Sequence, residues 1–190
     1  MNFSAVILAG GKSSRMGCDK AFLKIGGQTL LARQIQLARE AGAAEIFISG
    51  CPGTNYSAFE RRVLLDKFPD AGPLTGIESA LDAATTSSLL VLAIDLPEMT
   101  AEFLQRLAGG CSETCGVIPK LSGHIEPLVA IYPKSTHALA MAQLENGCFA
   151  VKDFAGQCVR SGLARFVEPP ASEAIYFANW NLPADLPCTT

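Results

Sequence analysis

Residues 3–9, Phe-Ser-Ala-Val-Ile-Leu-Ala, form a short apolar run that ends abruptly on two adjacent glycines, Gly10 and Gly11. Such a run suits a strand buried on both faces of a parallel sheet. The glycines after it can take positive φ and place no Cβ between the backbone N–H groups and a ligand. Successive N–H groups in such a turn make a concave anion site. Lys12, Arg15 and Lys20 then add three cations, and a guanidinium can hold phosphate oxygens through two parallel hydrogen bonds. An ordinary strand-to-helix turn with a solvated basic rim is the plainer account. The density of glycine and cation favours a polyphosphate cradle.

Two familiar phosphate motifs do not fit. Gly11-Lys12-Ser13 imitates the end of a P-loop, but Val6 occupies the place that motif reserves for its first glycine. A dinucleotide fingerprint fails as well, because Gly10 and Gly11 are adjacent and Arg15 and Met16 follow where further glycines are needed.

The alternation of elements continues from there. Thr29 is placed to cap a helix running to about Ala41, with Leu30, Leu31, Gln34, Ile35, Leu37 and Ala38 on one stripe and Gly42 ending it. Residues 45–49 read as a second strand, 51–56 as a loop, and 63–65 as a third strand ending at Asp66. Asp70-Ala-Gly-Pro-Leu-Thr-Gly-Ile opens a helix to about Ala84, with Pro73 in its first turn. Residues 88–94 are the strongest strand pattern, and a helix follows over 100–108. This alternation predicts an α/β chain: a three-layer, doubly wound, mostly parallel sheet of Rossmann-like kind. Ligands of such sheets bind beyond the carboxyl ends of the strands. The glycine loop, Ser49, Asp66 and Asp95 all fall there.

The second half is less regular. Strands are expected at 115–119, 127–132, 163–168 and 174–178, and a helix at 135–145, with some strands pairing antiparallel at an edge. Residues 146–162 receive no element. One domain of 190 residues is expected, with 1–108 as its nucleotide-binding half and 109–190 as its acceptor-binding half.

Composition narrows the partners. The chain is 49% hydrophobic and 17% charged, enough for a sizeable core, and its net charge of −3 argues against a nucleic-acid or membrane-surface binder. The basic loop is therefore a local feature. No signal-peptide pattern or membrane-length apolar stretch is found, so a cytoplasmic location is expected, with the seven scattered cysteines as reduced thiols. Cys18 lies inside the cationic loop, which could depress its pKa. His124 and His137 show no base constellation and are expected at the surface, with His124 able to touch an acceptor.

Asp95, before Leu96-Pro97, is either a turn cap or a ligand for a hard cation. Mg2+ takes one or two carboxylates with phosphate oxygens and water, which suits a lone aspartate beside a phosphate loop. Phosphoryl and nucleotidyl transfer need positioning, a metal and facing cations more than covalent help. Arg15, Lys20 and Asp95 are the candidate catalytic set, with Asp95 the candidate metal ligand.

Residues 8–20, Leu-Ala-Gly-Gly-Lys-Ser-Ser-Arg-Met-Gly-Cys-Asp-Lys, resemble the signature of nucleotidyltransferases acting on the molybdenum cofactor and on sugar phosphates. Asp70-Ala-Gly-Pro-Leu-Thr-Gly, Asp95-Leu-Pro and Phe177-Ala-Asn-Trp-Asn-Leu-Pro-Ala-Asp-Leu are similar to segments of the molybdenum cofactor guanylyltransferases, in the same order. The resemblance implies GMP transfer from Mg-GTP to the terminal phosphate of Mo-molybdopterin, with release of pyrophosphate. It implies that Leu8, Ala9, Gly10, Gly11, Lys20, Asp66, Gly76 and Asp95 bind the nucleotide. On the acceptor side it implies Arg15, Asn179 and Asn181. Transient contact with proteins that deliver or receive the cofactor is implied too. Two departures stand out: Ser49 where the family often carries Asn, and Leu182 in place of the usual Thr. Cytidylyl relatives tend to carry Ala where Gly10 stands, which favours GTP. Cytidylyl transfer to the same cofactor, a sugar-phosphate nucleotidyltransferase and a non-catalytic nucleotide-binding module are the alternatives.

Overall fold

A computed structural model describes residues 2–10, 20–68 and 70–179. Strands β1 (Ser4–Leu8), β4 (Glu45–Ser49), β5 (Arg62–Leu64), β6 (Ser88–Ala93), β7 (Gly116–Leu121), β9 (Val129–Pro133) and β10 (Ala164–Val167) form the sheet in the order β10-β7-β9-β6-β1-β4-β5. A two-residue strand, β8 (His124–Ile125), pairs with β7. Four strands, β6-β1-β4-β5, are mutually parallel, with Ser4 of β1 opposite Glu45 and Leu89. β2 (Lys24–Ile25) and β3 (Gln28–Thr29) make a separate hairpin. Its turn residues, Gly26 and Gly27, both have positive φ (56° and 83°), as the tight turn of a two-residue hairpin demands.

Helices α1 (Leu30–Glu40), α2 (Pro73–Ala83), α3 (Ala101–Gly109) and α4 (His137–Glu145) realise the expected alternation, and α5 (Val151–Arg160) joins them. Because side chains alternate across a strand, β1 feeds two cores. Ala5 and Ile7 pack with α1 and α3, while Val6 and Leu8 pack with α2, α4 and α5. β6 divides likewise, Leu90 and Leu92 to the first core and Leu89 and Val91 to the second. Burying each such side chain is worth about 1.5–3 kcal/mol. The Thr29 cap, whose hydroxyl accepts the Ala32 N–H at 3.2 Å, adds about 1 kcal/mol to α1. Packing therefore dominates, and the cap fixes where the helix starts.

The second half departs from expectation in three places. Of the expected strands, the one that runs antiparallel is β9, and it lies inside the sheet between β6 and β7 rather than at an edge. All five of its residues are buried, so an interior place satisfies both its apolar faces and its ladder. The edge strand β10 runs parallel to β7. Residues 174–178 are not a strand: Ala171–Phe177 is a 3-10 helix. Pro169 and Pro170 offer no N–H for a ladder, the Pro170 carbonyl accepts the Glu173 N–H at 2.9 Å, and Tyr176 and Phe177 pack edge-on against Phe103. Finally, α5 fills a stretch assigned no element, with Val151, Phe154, Ala155 and Cys158 on its buried face.

Candidate active site

The parallel strands end together. β1 stops at Leu8, and its ladder to β4 runs one step further, because the Ser49 carbonyl accepts both the Ala9 N–H (2.9 Å) and the Gly10 N–H (2.8 Å). These two N–H groups are therefore spent on the sheet. Neither is left to face an anion, as the glycine loop was expected to provide. Gly11 and Arg15 lie outside the described residues. A Cβ at Gly10 would meet the Ser49 carbonyl oxygen at 3.5 Å, an ordinary contact, so packing alone does not require glycine there.

Lys20 opens a 3-10 helix, Lys20–Phe22, whose Ala21 is fully buried. Phe22 stacks on Tyr56 (centroids 6.0 Å apart, planes at 18°) and leans on Phe59. Tyr56 in turn lies flat over Gly50, where a Cβ would come within 2.4 Å of its ring. The Tyr56 hydroxyl accepts the Cys51 N–H at 3.2 Å. This aromatic clamp holds the Lys20 helix against the loop after β4. From it the Lys20 ammonium reaches the Asp95 carboxylate at 3.2 Å, both side chains being about four-fifths shielded from water (17% and 22% exposed).

Asp95 follows β6 on a turn that α1 fixes from below: Gln34, fully buried, donates to the Leu96 carbonyl at 2.9 Å. Among the described residues no group of three or more His, Cys, Asp or Glu side chains could hold a metal. Of the described residues, Asp95 would give such a cation one carboxylate, leaving room in its shell for phosphate oxygens and water. That donor set, one hard carboxylate at an open strand end, fits Mg2+.

Asp66 is exposed two residues beyond β5, and desolvation by the surrounding protein pushes its carboxyl pKa up. Its neighbour Lys67 is pinned to α2 by Glu78 (3.1 Å) and Asp82 (2.9 Å). Glu78 is wholly buried and also meets His137 Nε2 at 2.9 Å, so His137 is a half-buried inter-helix contact and not the surface residue expected. Gly76 is buried on α2, where a Cβ would lie 2.3 Å from Ser49 Oγ and 3.1 Å from Leu8 Cδ2. Glycine here lets the helix sit directly on the ends of β1 and β4.

The structure thus brings Leu8, Ala9, Gly10, Ser49, Lys20, Asp66, Gly76 and Asp95 to one edge of the sheet. Asn179 is exposed just past the 3-10 helix at Ala171–Phe177, and Asn181 lies outside the described residues, as do Cys18 and Leu182. A cavity of about 240 Å3 between α3 and residues 167–173 is lined by Phe103, Arg106, Val167 and Glu173 and by none of the expected site residues. Sequence reasoning missed Tyr56, Gln34 and Glu78. The buried Glu78 leaves a signal, a charged residue on the apolar stripe of α2. The others act through contacts distant in sequence.

A family model described as the MobA-like NTP transferase domain matches residues 5–175. A probable molybdenum cofactor guanylyltransferase of Opitutus terrae is 37% identical over 185 residues, covering 96% of this chain and 92% of that one. One from Carboxydothermus hydrogenoformans is 32% identical, over 97% and 93%. Among solved structures, the molybdopterin-guanine dinucleotide biosynthesis protein A of Archaeoglobus fulgidus superposes with a TM-score of 0.73 at 23% identity, covering 96% of this chain and 94% of that one. The 2-C-methyl-D-erythritol 4-phosphate cytidylyltransferase of Thermus thermophilus gives 0.72 at 20%, over 97% and 95%. The last two show the fold, Rossmann-like and shared across nucleotidyltransferases of different substrates. The match over most of the chain, and relatives above 30% identity along nearly its whole length, go further: this chain belongs to the MobA-like NTP transferase family.

Proposed function

We propose that this enzyme transfers GMP from GTP to the terminal phosphate of Mo-molybdopterin, in the cytoplasm, forming the guanine dinucleotide cofactor. An oxygen of the acceptor phosphate attacks the α-phosphorus of GTP. A P–O bond forms, the bond from the α-phosphorus to the β-bridging oxygen breaks, and its electron pair leaves with pyrophosphate. The observation that carries this reading is the Lys20–Asp95 pair, 3.2 Å apart at the carboxyl end of β6, in a chain whose relatives are named for this reaction.

The residues divide the work. Leu8, Ala9, Gly10 and Gly11 line the nucleotide pocket, Asp66 holds the nucleoside and Gly76 lies beside the base. Lys20 exchanges Asp95 for phosphate oxygens when the triphosphate enters, placing positive charge where negative charge develops. Asp95 would hold Mg2+, which when bound would neutralise charge on the phosphate oxygens and on the pyrophosphate that leaves. Arg15, Asn179 and Asn181 meet the acceptor. Proteins that deliver molybdopterin or receive the finished cofactor dock transiently.

The test is a panel of GTP, CTP and ATP, each assayed with Mo-molybdopterin and Mg2+ for pyrophosphate release. Turnover with GTP alone is expected. Turnover with CTP and none with GTP overturns the guanylyl assignment, and no turnover with any nucleotide overturns the reaction.

A further inference from the structure

β6 divides the sheet. β1, β4 and β5 lie on one side of it and carry Leu8, Ala9, Gly10, Ser49 and Asp66, whereas β9, β7 and β10 lie on the other. If the nucleotide occupies the first side, the acceptor must approach Asp95 from the second. At that edge stands Glu126. The Ala93 N–H at the end of β6 donates to the Leu128 carbonyl at 2.9 Å, so Glu126, two residues before Leu128, and Asp95, two after Ala93, emerge from neighbouring strands at the same end of the sheet.

The backbone around Glu126 is held from three directions. Its N–H donates to the Pro119 carbonyl (2.9 Å) and its carbonyl accepts the Val129 N–H (3.2 Å), closing a turn. The wholly buried Tyr132 donates its hydroxyl to the Pro127 carbonyl at 2.9 Å. Yet the Glu126 carboxylate receives no hydrogen bond among the described residues, although it is half-buried. Burial pushes its pKa up, and the charges of Lys152 and His124 offset this only in part. The carboxylate is thus held in place by its backbone, partly shielded, and taken up by no donor of the described residues, which leaves both oxygens open to an incoming donor pair.

We propose that Glu126 is a specificity-determining residue for the acceptor, its two oxygens receiving paired N–H donors from the acceptor's heterocycle. A pterin ring carries a 2-amino group beside a ring N–H, the donor pair that one carboxylate can accept in parallel. This rests on the guanylyltransferase reading, because it takes molybdopterin as the acceptor. It adds a discriminating contact on the β9 side of Asp95, across β6 from the nucleotide residues carried by β1, β4 and β5.

The experiment compares wild type with Glu126→Gln and Glu126→Ala, varying Mo-molybdopterin at saturating GTP and then GTP at saturating acceptor. The expected result is an acceptor KM raised about tenfold or more in both variants, with GTP KM within about twofold of wild type. Quenching of pterin fluorescence, measured without GTP, should show the same loss of acceptor affinity. If the alanine variant fails to fold, the isosteric glutamine variant carries the test. An unchanged acceptor KM overturns the proposal, as does a parallel rise in both KM values or a change confined to the Mg2+ requirement; each leaves the guanylyltransferase reading standing. A wild-type protein that consumes no acceptor removes both.

Discussion

The hydroxyl of Ser49 occupies the space that a β-carbon on Gly76 would need: such a carbon would stand 2.3 Å from Ser49 Oγ and 2.9 Å from Ser49 Cβ. The start of α2 therefore rests on the end of β4 through one residue without a side chain and one with a small one. Gly76→Ala must push α2 away from the strand ends, and overpacking of this kind costs about 1–3 kcal/mol. Urea unfolding should show that loss. Pairing it with Ser49→Ala removes the nearest clashing atom but leaves the β-carbon of residue 49 at 2.9 Å and Leu8 Cδ2 at 3.1 Å, so the double variant should recover part of the stability and not all of it. Full additivity of the two changes would mean that the contact does not exist in solution.

Lys20 and Asp95 neutralise each other in the free protein. Asp95→Asn keeps an oxygen for Lys20 and removes the charge a divalent cation needs. Turnover should fall by at least about 100-fold, measured as pyrophosphate release at saturating GTP and acceptor. The pair is mostly but not fully shielded, so the loss of stability should be modest, about 1–2 kcal/mol, between exposed and fully buried pairs. A variant with unaltered turnover would remove the carboxylate from the mechanism.

The legible features were those written in short stretches of chain. The apolar run into Gly10, the Thr29 cap and the Pro73 helix start each depend on a few adjacent residues, and each is found where expected. The place of Asp95 just past β6 was legible because a strong strand precedes it. The insertion of β9 between β6 and β7 was not, since strand order depends on which apolar faces meet across long separations. Ile175-Tyr176-Phe177 has the composition of a strand, but its aromatic rings are used against Phe103. The Lys20–Asp95 contact joins residues 75 apart, and the Glu78 contacts to Lys67 and His137 likewise cross elements. By contrast, α5 carries its buried residues at positions 151, 154, 155 and 158, a helical period open to inspection in the sequence.

Phe22 is the exposed end of the clamp that aims Lys20. It is 40% exposed, so Phe22→Ala should cost little stability, yet it releases the contact with Tyr56 that orients the 3-10 helix two residues after the ammonium. The expected result is turnover reduced about tenfold, on the scale by which misplacing a positioned group slows catalysis, with a nearly unchanged Tm. Phe22→Tyr, which keeps the ring, should retain most activity. Equal losses from both substitutions would show that the ring does not position Lys20.

Acid stability should depend on Glu45 at the opposite edge of the sheet. Burial raises its carboxyl pKa, but a hydrogen bond from Ser4 Oγ (2.5 Å), one from the Thr85 N–H (2.9 Å) and the charge of Lys134 outweigh this, and the net shift is downward from 4.5. A folded-state pKa below the unfolded one means that the unfolded chain binds the proton more readily. Glu45 therefore stabilises the fold above its unfolded pKa, about 4.3, and the contribution disappears as pH falls through the lower folded value. Glu45→Gln should lower stability at neutral pH and flatten the decline below about pH 4. Urea midpoints from pH 7 to pH 3 should converge for wild type and variant at the acid end, and a constant gap between them would assign the Glu45 contacts no pH-dependent part in stability.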